Sequence, residues 1–278
     1  MTGLRRIAAA RHDQRLTERL PALEEDALRR PSVIVAPHPD DETLGCGGLA
    51  CRMIAAGTPV HFVIVTDGAA SHPVIPGPEL RRIREAEAIE AVVRLGGTPD
   101  SVSFLGIPDG KAMRHVEEIA SGLGEIFASF GPSQVFVPHP EDPMPDHIAV
   151  HRGTLEALRR RGAPVIVYEY PVWYWFHWPW VPIGGHPVGL WKKALKQSFR
   201  AGFGTGALRS LNVRVDIAPE LPRKRLALAA HASQTQRPDG VGDWPVLADL
   251  GAGGFVARLV SEREMFRRYT LPRGRPGA

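Results

Sequence analysis

Val33-Ile-Val-Ala-Pro37 runs directly into His38-Pro-Asp-Asp-Glu-Thr43, and this junction decides the fold. The run rich in β-branched residues predicts a buried strand. The polar residues after it then lie in the loop at the strand's carboxyl end, where α/β sheets carry their reactive groups. We therefore expect a functional loop directly after the first strand.

The same order of elements repeats along the first half of the chain. Short apolar runs alternate with longer segments that have helical spacing. Strands are predicted at 33–37, 61–66, 102–105, 134–138 and 165–170, and helices near 43–56, 79–95, 112–129 and 146–161. Strands separated by helices are typical of βαβ units. We predict an α/β, Rossmann-like three-layer sandwich with a mostly parallel central sheet.

Changes in composition suggest the domain boundaries. We expect an N-terminal helical extension at 1–30, a single domain at 31–272 and a disordered tail at 273–278. Within the domain, residues 172–205 form an aromatic-rich segment, and a further helix is expected near 220–232.

The composition argues against several classes of protein. The formal charge of the 278-residue chain is +4 and its arginines are scattered, so nucleic-acid binding is not expected. Cys46 and Cys51 are the only cysteines, and their spacing matches neither a redox pair nor a disulfide framework. No apolar run has the length of a membrane span or a signal peptide, so the expected location is cytoplasmic. The sequence allows a homo-oligomer without requiring one.

Two predicted loops carry residues that can hold a metal ion. His38 and Asp41 follow the first strand, and His147 belongs to a loop much later in the chain. Two histidines and one carboxylate can bind catalytic zinc and leave a position for water. Zinc lowers the pKa of bound water to about 7, and Asp40 is placed to act as general base. Iron and cobalt accept the same ligand types.

Two simpler interpretations compete with a metal site. The polar run after the first strand could merely cap the next helix through Asp41 or Thr43. Gly45-Cys-Gly-Gly-Leu-Ala50, with Asp67 after the next strand, fits a dinucleotide fingerprint. However, several residues, three of them acidic, separate the strand from Gly45, and carboxylates would repel a pyrophosphate. The second loop, with its Asp-His pair, favours the metal site.

The sequence resembles the PIG-L/LmbE-like zinc-dependent N-deacetylases, which include GlcNAc-phosphatidylinositol deacetylases. Five motifs carry the resemblance, and together they account for most of residues 31–235. They are Ala36-Pro-His-Pro-Asp-Asp-Glu-Thr-Leu-Gly-Cys-Gly-Gly48, Val65-Thr-Asp-Gly68, Arg84-x-x-Glu87-x-x-x-Ala91-x-x-x-Leu95-Gly96, Phe104-Leu-Gly-Ile-Pro-Asp-Gly110 and Ala230-His-Ala-Ser-Gln234.

The resemblance implies Zn2+ on His38, Asp41 and His147, with Asp40 as both acid and base. It implies hydrolysis of the acetamide of an N-acetylglucosamine-type sugar or glycoconjugate to acetate and a free amine. Another N-acyl or thiol-sugar conjugate is the alternative substrate. A non-catalytic zinc protein that recognises glycans or glycolipids is the alternative of another class. Arg84 is either a substrate-side cation, as the resemblance implies, or an exposed helix arginine.

Met144 departs from the family pattern. The family usually has a histidine here, two residues before Asp146, and that histidine is thought to polarise the amide carbonyl. A thioether cannot do this. Zinc itself or a donor from His139, His151 or His231 could take over the role; otherwise the substrate is altered or the enzyme is weak or silent.

Further residues of the second loop have supporting roles in this interpretation. Asp146 is expected to orient His147 or a nearby histidine through a hydrogen bond, and Asp142 is a candidate for substrate binding or ligand support. His151 shares a helix face with His147, so it supports the metal site or lies on the surface. His139 either lines the pocket or stabilises a turn.

Trp173-Tyr-Trp-Phe-His-Trp-Pro-Trp180 contains four tryptophans. Aromatic rings pack in cores and interfaces, stack on sugars or lie at membrane surfaces. Core packing or a dimer contact is favoured here, followed by a sugar platform. Lys192, Lys193 and Lys196 would suit a membrane contact, which is allowed but not expected.

Overall fold

The computed structural model describes residues 2–72, 74–184, 190–238 and 244–273. All but the first residue of the expected tail therefore lie outside the described residues. Across the described part, no helix combines the length and apolar character needed to cross a bilayer. The cytoplasmic location and the proposed domain boundaries stay predictions.

A seven-stranded sheet runs through the described chain. Its strands are β1 (Ser32–Ala36), β2 (Val60–Thr66), β3 (Val102–Ile107), β4 (Gln134–Pro138), β5 (Val165–Tyr170), β6 (Val213–Asp216) and β7 (Arg263–Leu271). They lie in the order β3-β2-β1-β4-β5-β7-β6. The first five pair in parallel, whereas β7 runs antiparallel to both β5 and β6. This confirms the predicted mostly parallel sheet.

Helices connect the parallel strands and continue through the C-terminal part. They are α1 (Thr2–Arg19), α2 (Asp41–Ala55), α3 (Gly77–Leu95), α4 (Val116–Phe130), α5 (Pro145–Arg161), α6 (Leu190–Arg200), α7 (Ala207–Ser210), α8 (Leu221–Ala230), α9 (Ala232–Thr235) and α10 (Gly254–Leu259). The helix predicted near 112–129 begins only at Val116, because a 3-10 turn occupies Ala112–Arg114.

The sheet is covered on both faces, as the unbroken apolar strands require. Ile34 and Phe136 belong to one hydrophobic cluster, while Val33 and Val35 belong to another. Because side chains alternate along a strand, the two clusters occupy opposite faces. The result is the predicted three-layer sandwich.

The glycine run after the first motif lies inside α2 and allows close packing. A methyl group at Gly45 would overlap the buried ring of Tyr170, and one at Gly48 would overlap Ile217. The helix that begins at Asp41 can therefore lie close to β5 and to the segment after β6. These glycines serve helix packing, and they are not in the strand-to-helix turn that a dinucleotide fingerprint requires.

A buried ion pair holds the middle of α2. Lys224 donates to Glu264 Oε1 at 2.7 Å and to the carbonyl of Leu44 at 2.9 Å. Glu264 in turn accepts from the backbone amides of Gly48 and Leu49, each at 2.8 Å. Both charges are fully enclosed and paired, so the removal of either partner would leave an uncompensated buried charge.

Most side chains of the tryptophan-rich cluster at 173–180 lie in the core. Tyr174, Trp175, Phe176 and Trp180 are each at most 3% exposed. Trp180 also donates its indole N–H to Asp13 of α1 at 2.9 Å. Core packing is thus the main role of this cluster.

Candidate metal and catalytic site

Three loops bring polar residues to the carboxyl edge of the sheet. His38 follows β1, Asp109 follows β3, and the segment from His139 to His147 follows β4. β1 lies between β2 and β4 in the sheet, so its loop is central to the group. The strand order therefore explains why residues far apart in sequence meet here.

His38, Asp41 and His147 converge on one point. Asp41 Oδ2 lies 3.1 Å from His38 Nδ1 and 3.3 Å from His147 Nε2. One ligand atom from each residue falls within 4.8 Å of the others, a spacing that can hold a metal ion. His147 Nε2 is buried and has no hydrogen-bond partner, as expected of a nitrogen reserved for a metal.

The far side of each histidine faces carboxylates. His147 Nδ1 lies 3.0 Å from Asp142 Oδ2. His38 Nε2 lies 3.3 Å from Asp109 and 3.5 Å from Asp146. A carboxylate on the second nitrogen fixes the tautomer and ring orientation of a metal-binding histidine. Two nitrogens and one oxygen, each held in place, suit zinc.

The charges of this cluster favour a cation. Burial alone would lower the pKa of His147, but Asp41 and Asp142 outweigh it and raise that pKa to about 9. Burial likewise opposes the charge on Asp41, yet the two histidines lower the pKa of its carboxyl. Metal binding would displace protons from the histidines, so affinity should fall in acid.

Asp40 is held in an unusual backbone conformation beside the ligand Asp41. Its φ is 146°, a region that non-glycine residues rarely adopt and that recurs at functional sites. Its amide donates to Glu42 Oε2 at 2.9 Å. Burial raises the pKa of Asp40 to about 7, against the opposing charge of Arg84.

Glu42 is the buried support of this loop. It accepts from the Asp40 amide, from the Thr43 hydroxyl at 2.7 Å and from His231 Nε2 at 2.9 Å. Both Glu42 and His231 are fully buried. His231 therefore acts on the loop through Glu42, and it does not line the cavity beside Asp40.

Arg84 is buried, which excludes the exposed-helix interpretation. Its guanidinium donates to the carbonyl of Pro39 at 2.6 Å and to that of Gly68 at 3.1 Å, and it lies 3.4 Å from Asp40. It links the loops after β1 and β2 and also lines the cavity.

A cavity of about 300 Å³ opens beside the cluster. Its lining residues include Ser71 and Gln234, which bring polar groups, and Trp173 and Phe255, which bring aromatic rings with centroids 5.0 Å apart. Trp173 is the member of the tryptophan-rich segment that could contact a sugar. Met144 also lines the cavity, where the family histidine was expected.

Asp146 lies beside His38, a nearby histidine of the kind it was expected to orient, and not beside His147. Its oxygens accept from the backbone amides of Gly110 at 2.7 Å and Ala112 at 3.1 Å, and they face His38. Asp142, not Asp146, contacts His147. Asp146 thus fixes the loop after β3 as well as the histidine of the first motif.

His139 and His151 lie away from the cavity. His139 is buried against Tyr174, with 5.1 Å between ring centroids, and its backbone amide donates to the carbonyl of Tyr170. His151 Nε2 lies 2.9 Å from Glu169. Neither histidine lines the cavity, so neither is placed to replace the donor missing at Met144, and His151 does not approach the metal cluster.

Sequence reasoning did not assign Asp109, Ser71 or Phe255 to the site. Asp109 could have been found, because it follows a predicted strand in a quoted motif. Phe255 had no comparable signal, since α10 reaches the site only through the packing of the C-terminal part.

A Rossmann-like sheet with a two-histidine, one-carboxylate cluster at its carboxyl edge is an arrangement suited to metal-dependent hydrolysis. The sequence model of the GlcNAc-PI de-N-acetylase family, PIG-L, matches residues 33–158. The matched segment contains His38, Asp41 and His147, so the chain is similar to this family of deacetylases over the part that carries the metal cluster.

Three known proteins illustrate the similarity in sequence and in fold. A 1D-myo-inositol 2-acetamido-2-deoxy-alpha-D-glucopyranoside deacetylase from Mycolicibacterium smegmatis is 29% identical over 244 residues, covering 75% of this chain and 81% of that protein. The N,N'-diacetylchitobiose deacetylase structure from Pyrococcus horikoshii is 20% identical with a TM-score of 0.55, covering 87% and 84% of the two chains. A 4-carboxy-2-hydroxymuconate hydratase from Pseudomonas putida is 15% identical with a TM-score of 0.57, covering 90% and 99%. The two structures support the fold alone.

Proposed function

We propose that this protein is a zinc-dependent N-deacetylase that hydrolyses the acetamide of an N-acetylglucosamine-type sugar or glycoconjugate. The observation that carries the proposal is the convergence of His38, Asp41 and His147 on one point, with Asp40 beside them at the same cavity. The curated relative named above acts on an acetamido sugar, which supports this substrate class.

A zinc ion held by these three residues would lower the pKa of a water molecule and polarise the acetyl carbonyl. The protein's own residues supply the general base, a nearby cation and the cavity walls around that position. Asp142, Asp109 and Asp146 keep the two histidines oriented.

Asp40 transfers the proton in this mechanism. It takes a proton from the attacking water as the water oxygen bonds to the acetyl carbon. When the C–N bond breaks, Asp40 returns the proton to the leaving nitrogen, and the products are acetic acid, which ionises, and the free amine. Arg84 and Glu42 hold Asp40 at the cavity wall during both steps.

Met144 supplies no hydrogen to the developing oxyanion. None of His139, His151 and His231 lines the cavity beside it, so we propose that charge on the carbonyl oxygen depends mainly on the metal. This enzyme should then be slower than family members that have a histidine donor, because one such donor contributes about 10²–10³ in kcat.

The fold does not by itself select this chemistry, because a hydratase shares it. The family motif and the acetamide-hydrolysing relative favour the deacetylase over a hydratase. The glycan-recognition alternative would predict sugar binding without acetate release.

Asp40→Asn tests the mechanism. The amide keeps the shape of the side chain but cannot accept the proton, so kcat for acetate release should fall by about 10²–10⁴. Zinc content, measured by elemental analysis, should be unchanged. Asp100→Asn, an exposed carboxylate on the 3-10 turn before β3, is the matched control and should leave kcat unaltered. Full activity in Asp40→Asn would overturn the assignment of Asp40.

A further inference from the structure

A second, larger cavity of about 590 Å³ adjoins the candidate active site. Leu247 lines both cavities. Gln234 lines the active-site cavity while Thr235, next to it, lines the second, and Phe255 and Val256 divide in the same way. Three separate segments thus form a wall that the two cavities share.

The second cavity, here called the apolar groove, has mainly aliphatic walls. Leu228, Leu247, Val256 and Val260 line it, and Arg225 is the one charged side chain among its described lining residues. None of these described lining residues is suited to catalysis. Ligand sites of this volume are typically apolar with a few polar groups at the edge.

Resting on the proposed function, we infer that the apolar groove is a subsite for an apolar aglycone of the amino-sugar substrate. The acetamide must lie at the metal cluster and the sugar ring in the cavity with Trp173 and Phe255. A group that extends past Leu247 then enters the apolar groove and removes its aliphatic wall from water. The substrate class is accordingly an N-acetylated amino sugar with an alkyl or aryl aglycone.

Binding is measured first, so that the test does not depend on turnover. Methyl and hexyl N-acetylglucosaminides are titrated into zinc-loaded Asp40→Asn protein by calorimetry. A fully buried methylene contributes about fourfold in affinity. The hexyl chain lies in an open groove, so we expect it to bury the area of about two or three methylenes, which gives about 15- to 60-fold tighter binding of the hexyl glycoside. Equal dissociation constants would overturn the inference.

Three further variants, each made in that same Asp40→Asn protein, locate the effect. Val256→Asp places a charge in the apolar groove, and Ala229→Trp fills it. Each should bring the ratio of the two dissociation constants close to one. Leu226→Asp changes an exposed apolar residue on the same helix as Ala229 but outside the lining, and it should keep the ratio found for the Asp40→Asn protein. A loss of the ratio in Leu226→Asp as well would contradict a local subsite.

The outcomes separate the two proposals. Tighter binding of the hexyl glycoside without acetate release by the wild-type protein would reject the deacetylase function but support the apolar groove as a binding subsite. Acetate release from both glycosides with equal binding would reject the groove alone. Association of the protein in sedimentation experiments that Val256→Asp abolishes would mean that a second copy occupies the groove, which also rejects the inference.

Discussion

Asp142→Asn should weaken zinc binding without removing a ligand. Asp142 is 1% exposed, and its Oδ2 lies 3.0 Å from His147 Nδ1 and 3.3 Å from the amide of Val172. The asparagine can keep the position and one accepting oxygen. The negative charge behind His147 is lost.

The size of the effect follows from the charge that His147 experiences. Despite burial, Asp41 and Asp142 raise the pKa of His147 from 6.5 to about 9. The same negative charge stabilises a doubly charged metal ion more than it stabilises the proton that the ion displaces. The loss of Asp142 should therefore weaken zinc binding roughly 10- to 100-fold, the range measured for such partners.

The assay is a competition for zinc between the protein and a chromophoric chelator at about neutral pH. Asp100→Asn is the control for the charge change, and circular dichroism checks that the variant is folded. At saturating zinc, the Asp142→Asn protein should release acetate at a rate close to that of the wild type. An unchanged zinc affinity in a folded Asp142→Asn protein would refute the view that Asp142 supports a metal ligand.

Three other substitutions test separate parts of the structure. Met144→His should raise kcat at least ~10-fold by adding an oxyanion donor, and unchanged steady-state kinetics would count against that role. Gly45→Ala should lower the free energy of unfolding by about 1–3 kcal/mol in urea titrations, because the methyl group overlaps Tyr170, and wild-type stability would contradict the close packing. Burial lowers the pKa of His177 from 6.5 to about 4, so its contribution to stability is full above pH 6.5 and is lost as the pH falls towards 4. His177→Asn should therefore show roughly 3 kcal/mol less loss of stability between pH 7 and pH 4 than the wild type, whereas parallel pH curves would refute this.

The five parallel strands could be predicted well from the sequence because they are buried on both faces. Val33 to Pro37 is apolar without interruption, and each such run is followed by a loop with turn-forming and polar residues. The rule that reactive loops follow strands then identified the two loops that contain His38 and His147. Local pattern and tertiary position agree in this part of the chain.

The C-terminal half was less predictable for physical reasons. β7 contains three arginines and a glutamate, so its pattern does not stand out as a strand of the sheet interior. β7 joins the interior of the sheet because Lys224 neutralises Glu264 and because β5 offers an edge with which β7 can pair. These partners are distant in sequence.

The roles of individual site residues depend on distances that spacing cannot supply. Asp146 is adjacent to His147 in the sequence and Asp142 lies five residues before it, yet Asp142 contacts His147 while Asp146 accepts from two backbone amides. Arg84 similarly could not be separated from its exposed neighbours on α3 until its burial was known.

Zinc-dependent acetate release is the most direct test of the account. Acetate is measured from N-acetylglucosamine and several of its glycosides, with protein that carries one equivalent of zinc and with chelator-treated protein. We predict release from at least one glycoside by the zinc-loaded protein, and its loss on chelation and recovery when zinc returns. Zinc binding without acetate from any glycoside, or release that chelation does not affect, would contradict the proposed function.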